Sequence, residues 1–252
     1  MQRSNTYVIL FSATLTIVLG GLLALASEGL KPIQKKAIEL DTKKQILSAI
    51  MPINPRKDDV LGIFDIRIKG IVVDSDGNII ERDKEGNVVN PDNVVIAKEY
   101  KKDPEERLYP VYIFHKEGDP ETIEAYIFAM YGNGLWDNIW AYIALDTDMN
   151  TVLGAVFDHV AETPGLGARI TEEGVRNRYN GKKIYDENGE LRSIVMLKAE
   201  NNDPSKITDH TVNGLSGATL TAKGLNRMLD EYFKCYEPFI EKIKTGKLVA
   251  LL

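Results

Sequence analysis

Residues 214–243 read GLSGATLTAKGLNRMLDEYFKCYEPFIEKI, and this stretch falls into two parts. The first is rich in glycine and alanine and holds three hydroxyl residues, Ser216, Thr219 and Thr221. The second, residues 225–243, has apolar residues at the spacing of an amphipathic α-helix, which packs one face on a core. The stretch therefore predicts a final helix that covers the core and begins at a loop of small residues.

Two roles suit this loop. Thr219 or Thr221 can cap the helix, because a side-chain oxygen satisfies a free N–H group at a helix start. Alternatively, the helix N-terminus can bind a phosphate-bearing ligand, because its free N–H groups and dipole favour anions. Gly217 and Ala218 leave room for such a ligand to approach the backbone closely. The spacing of these residues leaves both roles open.

The composition limits the function classes. The chain has 252 residues and a net charge of -6, a length that can bury one sizeable core. An acidic chain is not expected to bind nucleic acid, which favours a basic surface. Cys235 is the single cysteine, so an intrachain disulfide is excluded.

Residues 7–26, YVILFSATLTIVLGGLLALA, contain no charge. At about 1.5 Å per residue such a helix spans the roughly 30 Å hydrocarbon core of a bilayer. We expect a single-pass anchor in contact with membrane lipid. A cleaved signal peptide is the alternative, since residues 24–26, Ala-Leu-Ala, fit a cleavage site. The apolar run is longer than the roughly 7–15-residue core of a signal peptide, which favours the anchor.

This anchor divides the chain into a tail and anchor at residues 1–29 and a soluble domain at residues 30–252. The charge bias around the anchor, with Arg3 before it and Lys31, Lys35 and Lys36 after it, would alone keep the soluble domain in the cytoplasm. Long domains, however, cross a membrane largely regardless of such charges.

The soluble part predicts an α+β fold. Residues 33–50 have helical spacing and end before Pro52, which cannot continue a helix. Alternating or apolar runs bounded by turn residues predict strands at residues 65–73, 108–115, 121–130, 140–145, 151–160 and 192–198. Connections long enough for parallel β-α-β units are not evident, so we expect a mostly antiparallel sheet with flanking helices.

Common catalytic motifs do not occur in the sequence. It has no phosphate-binding GxxxxGK[ST], no GxGxxG between a strand and a helix, and no GxSxG. The histidines His115, His159 and His210 lack the spacing of metal ligands. We therefore predict no catalytic residue and no metal site.

A second glycine-rich stretch, residues 162–167, reads ETPGLG and follows a predicted strand. Pro164, Gly165 and Gly167 let the backbone turn sharply and approach a ligand closely. A plain turn is the alternative.

These stretches together resemble a known family. Ser216-Gly217-Ala218-Thr219 resembles the flavinylation motif of FMN-binding domains. The segments GLW at residues 134–136 and HVAETPGLGARI at residues 159–170, with the N-terminal anchor, resemble the C subunit of the sodium-translocating NADH:quinone oxidoreductase. The resemblance covers essentially the whole chain. The G subunit of Rnf-type complexes shares SGAT and a similar ETPG turn, so an Rnf-type subunit or another membrane-anchored FMN carrier is the alternative.

The resemblance implies a covalent flavin site. A flavin transferase would join FMN, with FAD as donor, to the Thr219 hydroxyl through a phosphoester bond. Ser216 and Thr221 would donate hydrogen bonds to the phosphate. Trp136, Leu166 and the backbone of Gly165 and Gly167 would form an apolar wall for the flavin ring, Glu162 and Thr163 would contact the ring edge, and the small residues Gly217 and Ala218 would admit the cofactor. The alternatives are that Trp136 is a core residue and that Glu162 caps a turn. One departure from the family is Asn213, where an aspartate usually precedes Gly214; we expect the amide to be tolerated.

The resemblance also implies a function. The chain would pass single electrons within a translocase of six subunits that oxidises NADH, reduces ubiquinone and exports sodium, and alone it would oxidise no NADH. It would lie in the bacterial inner membrane with its soluble domain in the periplasm. A membrane-anchored binding module without redox chemistry, whose loop only caps the helix, is the competing hypothesis.

Overall fold

The computed structural model of the chain describes residues 4–54, 56–82 and 86–248. The chain divides into two compact units, Met1–Lys43 and Lys44–Leu252.

Helix α1, Asn5–Ser48, unites the predicted anchor and the predicted helix at residues 33–50. Pro32 lies inside it, so one proline did not end the helix. Within the described part of the chain, α1 is the one helix long and apolar enough to cross a membrane. A membrane anchor is consistent with this helix. The boundary between residues 29 and 30 stays a prediction.

Among the described residues, the second unit contains four further helices and seven strands. The helices are α2 Val60–Arg67, α3 Ile96–Glu99, α4 Glu173–Arg176 and α5 Thr219–Lys244. Single 3-10 turns lie at Pro91–Asn93, Pro104–Glu106, Gly167–Thr171, Asn177–Tyr179 and Pro204–Lys206. The strands are β1 Ile68–Val73, β2 Tyr109–Lys116, β3 Asp119–Asn133, β4 Asn138–Leu145, β5 Val152–His159, β6 Val195–Met196 and β7 Thr211–Val212.

Strands β1 to β5 form one sheet in chain order, and every neighbouring pair is antiparallel. The predicted α+β fold is therefore confirmed. Two predicted strands are shorter than expected. Residues 65–67 belong to α2, and residues 192–198 keep only β6, which pairs in parallel with β7. Ser193 has a left-handed backbone conformation, with φ of 53°, which interrupts an extended chain.

Helix α5 covers one face of the sheet and supplies much of the core. Phe128 of β3 packs edge-on against Tyr236 of α5, with ring centroids 4.8 Å apart. The buried hydroxyl of Tyr236 lies 2.9 and 2.8 Å from the carbonyl oxygens of Pro110 and Ala129, and its one proton is shared between these two acceptors. The opposite face packs on α2 and the end of α1 through buried side chains that include Phe64, Ile46 and Leu47.

Close backbone contact places the start of α5 at the end of β3. A Cβ atom on Gly224 would lie 2.3 Å from the carbonyl oxygen of Asn133, nearer than real Cβ contacts allow. Only glycine fits this contact, so Gly224 sets how closely the first turns of α5 approach the turn between β3 and β4.

We expect Gly224→Ala to lower the free energy of unfolding by about 1–3 kcal/mol, because the added methyl group overpacks a backbone contact. Urea unfolding of the full chain measures this change. Gly174→Ala is the matched control, since Gly174 lies on α4 with nothing within 4 Å of an added Cβ. Equal stability of the two variants would contradict the close-contact explanation.

Candidate functional site

Three segments that are distant in sequence meet beside the first turn of α5. They are the turn at residues 134–136 between β3 and β4, the loop at residues 162–167 after β5, and the loop at residues 213–218 before α5. The first two segments are joined by the Glu162 side chain, and the last two by close packing of Leu166 on Gly217. The two glycine-rich stretches singled out in the sequence therefore lie together in the fold.

Glu162 occupies the centre of this site, with 4% of its surface exposed. Its Oε1 atom accepts hydrogen bonds from the backbone N–H groups of Leu135 and Trp136, at 2.7 and 3.0 Å. Its Oε2 atom accepts the hydroxyl of Thr221 at 2.6 Å. The Glu162 N–H group donates to Nδ1 of His159 at 3.2 Å. Both carboxylate oxygens thus accept hydrogen bonds from protein donors.

Burial and hydrogen bonding act on Glu162 in opposite directions. Burial alone would raise its pKa, because a charged group is costly to desolvate. The bonds from Thr221, Trp136 and Leu135 outweigh burial, and the pKa is lower than the ordinary value of 4.5. Glu162 is therefore ionised in the neutral range.

Two glycines make room for this carboxylate. A Cβ atom on Gly134 would lie 2.4 Å from Oε1, and one on Gly167 would lie 2.4 Å from Oε2. These distances explain why GLW and ETPGLG each need a glycine at that position. Gly167, which was predicted to contact a ligand, is buried and packs on Glu162 in the structure.

The capping role considered for Thr219 and Thr221 is wrong. The N-cap residue of α5 is Ala218, whose methyl group has no acceptor. Thr221 is buried and its hydroxyl is turned to Glu162, so it is committed to the protein. The first N–H groups of any helix have no partner within the helix, which leaves this helix start open to an anion.

An exposed apolar surface borders the loop before α5. We call Leu135, Trp136 and Leu166 the apolar wall; their exposed fractions are 43%, 69% and 41%. The Trp136 indole N–H group donates to the Thr163 hydroxyl at 3.1 Å. The alternative that Trp136 is a core residue is therefore wrong. Large exposed apolar side chains gathered at one place are typical of a ligand or protein interaction site.

The glycines at this wall have the backbone conformations that their residue type predicts. Gly165 and Gly217 have φ of 74° and 75°, in the left-handed region. A Cβ atom on Gly217 would lie 2.7 Å from Cδ2 of Leu166, whereas one on Gly165 would meet nothing within 4 Å. Gly217 therefore lets the apolar wall approach the loop that leads to Thr219.

Thr219 is half-buried at the first position of α5. It lines a groove of about 240 Å³ together with Ala222, Lys223 and Asn226 of the same helix and residues 195–198. The side chain of Asn226 bonds both the N–H and the carbonyl of Met196, which fixes the groove wall. A half-buried hydroxyl on a groove is open to modification from solvent.

Charged residues that the sequence did not reveal hold the loop at residues 213–218 in place. Arg178 donates to the carbonyl oxygens of Asn213 and Gly214 at 3.0 and 2.6 Å. Arg169 forms an ion pair with Glu200 at 2.8 Å. Arg169, together with the Ser216 hydroxyl and Arg178, lowers the pKa of Glu200 to about 2.

Ser216 is exposed on this loop, and its hydroxyl contacts Glu200. Its bond to a phosphate stays a prediction. Arg178 lies 35 positions before Asn213, so neither periodicity nor a local motif links the two. Arg178 lies in a segment without a periodic apolar pattern, so its contact with Asn213 could not be predicted from the sequence.

The site fits an FMN group. The apolar wall and the open space at Gly165 offer a surface for a flat ring, and Leu166 of this wall packs on Gly217, two positions before the half-buried Thr219 at the helix start. The family model of the FMN-binding domain matches residues 134–234, which contain the wall, Glu162 and the first turns of α5. Fold and site thus define an FMN-binding domain.

Comparison with related proteins identifies the family to which this FMN-binding domain belongs. The chain is 32% identical over 247 residues to the C subunit of the Na(+)-translocating NADH-quinone reductase of Yersinia pestis, with 93% of this chain and 91% of that protein covered. It therefore belongs to the family formed by the C subunits of Na(+)-translocating NADH-quinone reductases.

Two solved structures are similar to the fold described above. The C subunit of the Na(+)-translocating NADH-quinone reductase from Parabacteroides distasonis has a TM-score of 0.69 and 32% identity, with 84% of this chain and 96% of that chain covered. NqrC of Shewanella oneidensis has a TM-score of 0.68 at 22% identity, with 83% of this chain and 99% of that chain covered. The second likeness shows the fold alone.

We expect ionised Glu162 to make the stability of the chain depend on pH. A pKa lowered by folding stabilises the fold above the ordinary value of 4.5, and this contribution is lost as the pH falls through the lower pKa of the folded chain. Urea unfolding at pH values from 7 downward should therefore show a larger acid-induced loss for the unaltered chain than for Glu162→Gln.

The exposed carboxylate of Glu172, which pairs with Arg169 at 3.3 Å, supplies the control variant Glu172→Gln. A difference between Glu162→Gln and the unaltered chain that stays constant over this pH range would contradict the assignment of the pH effect to Glu162.

Proposed function

We propose that this chain is a covalently flavinylated electron-transfer subunit of a sodium-translocating NADH:quinone reductase, with FMN joined to Thr219. The observation that carries the proposal is the packing of the apolar wall on Gly217, two positions before a half-buried threonine at a helix start. Membership of the C-subunit family supports it. FMN supplies transfer of electrons one at a time when it is bound.

Thr219 supplies the point of attachment. Its Oγ1 forms a bond to the phosphorus of FMN, the phosphoric anhydride bond of an FAD donor breaks, and AMP leaves while a flavin transferase takes the hydroxyl proton. The N–H groups of the first turn of α5 and the helix dipole stabilise the phosphodiester charge. Gly217 and Ala218 leave this helix start unobstructed.

The remaining site residues orient the ring and exclude water from one of its faces. Trp136 and Leu166 present apolar surface, and the Thr163 hydroxyl fixes the indole. The backbone at Gly165 has free space above it. These residues carry no acid, base or nucleophile, in agreement with a function in which the cofactor supplies the chemistry.

The proposal includes a place in the cell. Helix α1 is long and apolar enough to be a membrane anchor, and we propose a single pass through a bacterial inner membrane, with residues 30–252 in the periplasm. The partners are the other members of a complex of six subunits. The isolated chain oxidises no NADH, because its described site offers a place for one flavin and no nucleotide-binding motif occurs in the sequence.

Thr219→Ala should abolish covalent flavin addition, because the alanine has no hydroxyl to attack the donor at the helix start. Intact mass of the full chain co-expressed with a flavin transferase should rise by FMN minus water in the unaltered chain only. Thr245→Ala, which removes a hydroxyl at the opposite end of α5, is the matched control and should keep the gain in mass. An unmodified wild-type chain in the presence of an active transferase would falsify the proposed attachment and favour a module without flavin.

Asn213 should support flavin addition through its side-chain acceptor. Its Oδ1 atom accepts the N–H group of Asn202 at 3.0 Å, and an aspartate preserves this bond. We expect Asn213→Asp to be modified at least as fast as the unaltered chain, and Asn213→Ala several-fold more slowly, because loss of the two hydrogen bonds from Asn202, each worth about 1 kcal/mol, loosens the loop.

A time course of intact mass with the transferase measures these rates. Asn188→Ala, in an exposed turn far along the chain from this loop, is the control. If Asn213→Ala is modified as fast as the unaltered chain, the hydrogen bonds of the Asn213 side chain do not support flavin addition.

A further inference from the structure

The sequence predicts that Glu162 contacts the edge of a flavin ring, but its surroundings exclude this role. Both carboxylate oxygens are occupied by protein donors, and only 4% of the residue is exposed. Gly134 and Gly167 lie so close to the two oxygens that a methyl group on either would displace the carboxylate.

The same contacts give Glu162 a different capacity. Through Oε1 it holds the Leu135–Trp136 turn, and through Oε2 it holds Thr221, two positions after Thr219 on α5. A hydrogen bond with an ionised partner is roughly twice as strong as one between neutral groups. One buried carboxylate thus connects the apolar wall to the helix that carries the proposed attachment point.

Trp136 needs such a support because packing does not hold it. Its side chain is 69% exposed, so few neighbours restrict its rotamer. Its hydrogen bonds described above run to Glu162 and Thr163, which are consecutive residues of one loop. The place of the indole relative to α5 therefore depends on how firmly that loop is joined to the helix, and Thr221 with Glu162 makes this join.

We propose that Glu162 is a positioning residue that fixes the apolar wall relative to Thr219 and so sets the environment of a flavin attached there. This inference rests on the proposed function, since the position of the wall matters to a flavin only if Thr219 carries one. Glu162 acts through Trp136, Leu135 and Thr221, and does not touch the cofactor.

The first experiment uses the full chain without flavin, so that its result is independent of flavin attachment. Hydrogen–deuterium exchange is followed at the amides of Leu135 and Trp136. In Glu162→Ala both amides should exchange about tenfold faster or more, because each loses a charged acceptor. In Glu162→Gln the side-chain oxygen still accepts, so most of the protection should return. Glu172→Ala is the matched control and should leave both amides unchanged.

The second experiment uses the flavinylated full chain and records the visible spectrum and the midpoint potential of the flavin. Glu162→Ala should shift both, and Glu162→Gln should move the spectrum back toward that of the unaltered chain. Thr221→Val keeps the two amide bonds and removes only the link to α5. It should therefore shift the spectrum while the Leu135 and Trp136 amides stay protected, a combination that general unfolding cannot produce.

The outcomes separate this inference from the proposed function. If intact mass shows no flavin on the unaltered chain, the proposed function fails, and the exchange data alone then report on the connection made by Glu162. Unchanged exchange in Glu162→Ala overturns the positioning role. The positioning role is also overturned if exchange is faster in Glu162→Ala but the flavin spectrum and midpoint potential are unaltered in both Glu162→Ala and Thr221→Val.

Discussion

The packing of α5 on the sheet is the constraint on which the rest of the domain depends. The helix lays its apolar side across β2 and β3, and the Tyr236 hydroxyl bonds two strand carbonyls in the core. Nearer the start of the helix, Gly224 lets the helix backbone contact the end of β3. Because a helix is a rigid rod over these distances, these two contacts determine where Thr219 lies.

The start of α5 therefore reaches the end of the sheet at which two loops already lie close to each other. Strands β3 and β4 are antiparallel neighbours, and β4 and β5 are as well. The β3–β4 turn and the loop after β5 consequently emerge at the same end of the sheet. The buried carboxylate of Glu162 joins both loops to the helix. In this arrangement the fold supplies proximity, and a few polar bonds supply the exact placement of side chains.

The sequence predicted those parts of the fold that depend on local pattern. Alternation placed β2 to β5 within a few residues, and the amphipathic spacing of residues 225–243 located α5, although the helix begins at Thr219. The two glycine-rich stretches lie together in the structure, and their role as site segments stays a prediction. The left-handed conformations at Gly165 and Gly217 follow from the residue type, because glycine has no Cβ atom.

Long-range polar contacts lay beyond reach of the sequence. Glu162 bonds Thr221 across 59 positions, and Arg178 bonds the loop carbonyls across 35 and 36. No periodicity links such partners, because their proximity is created only by the packing of α5. For the same reason Glu162 and Thr221 were assigned to a ligand, although the structure commits both side chains to each other.

The openness of the apolar wall bears on why a covalent bond would be useful here. Sites that hold a small molecule without a covalent bond usually bury most of its surface, whereas Trp136, Leu135 and Leu166 are all largely or partly exposed. A ring on such a surface gains contact on one face only, and its affinity without a tether would be modest. Under the proposed function, attachment at Thr219 replaces the missing enclosure by keeping the ring at high effective concentration beside the wall. The exposed face of the ring is then accessible to a redox partner, which an enclosing pocket would prevent. A rigid, open wall with an anchored cofactor therefore serves electron exchange between proteins better than a closed pocket does.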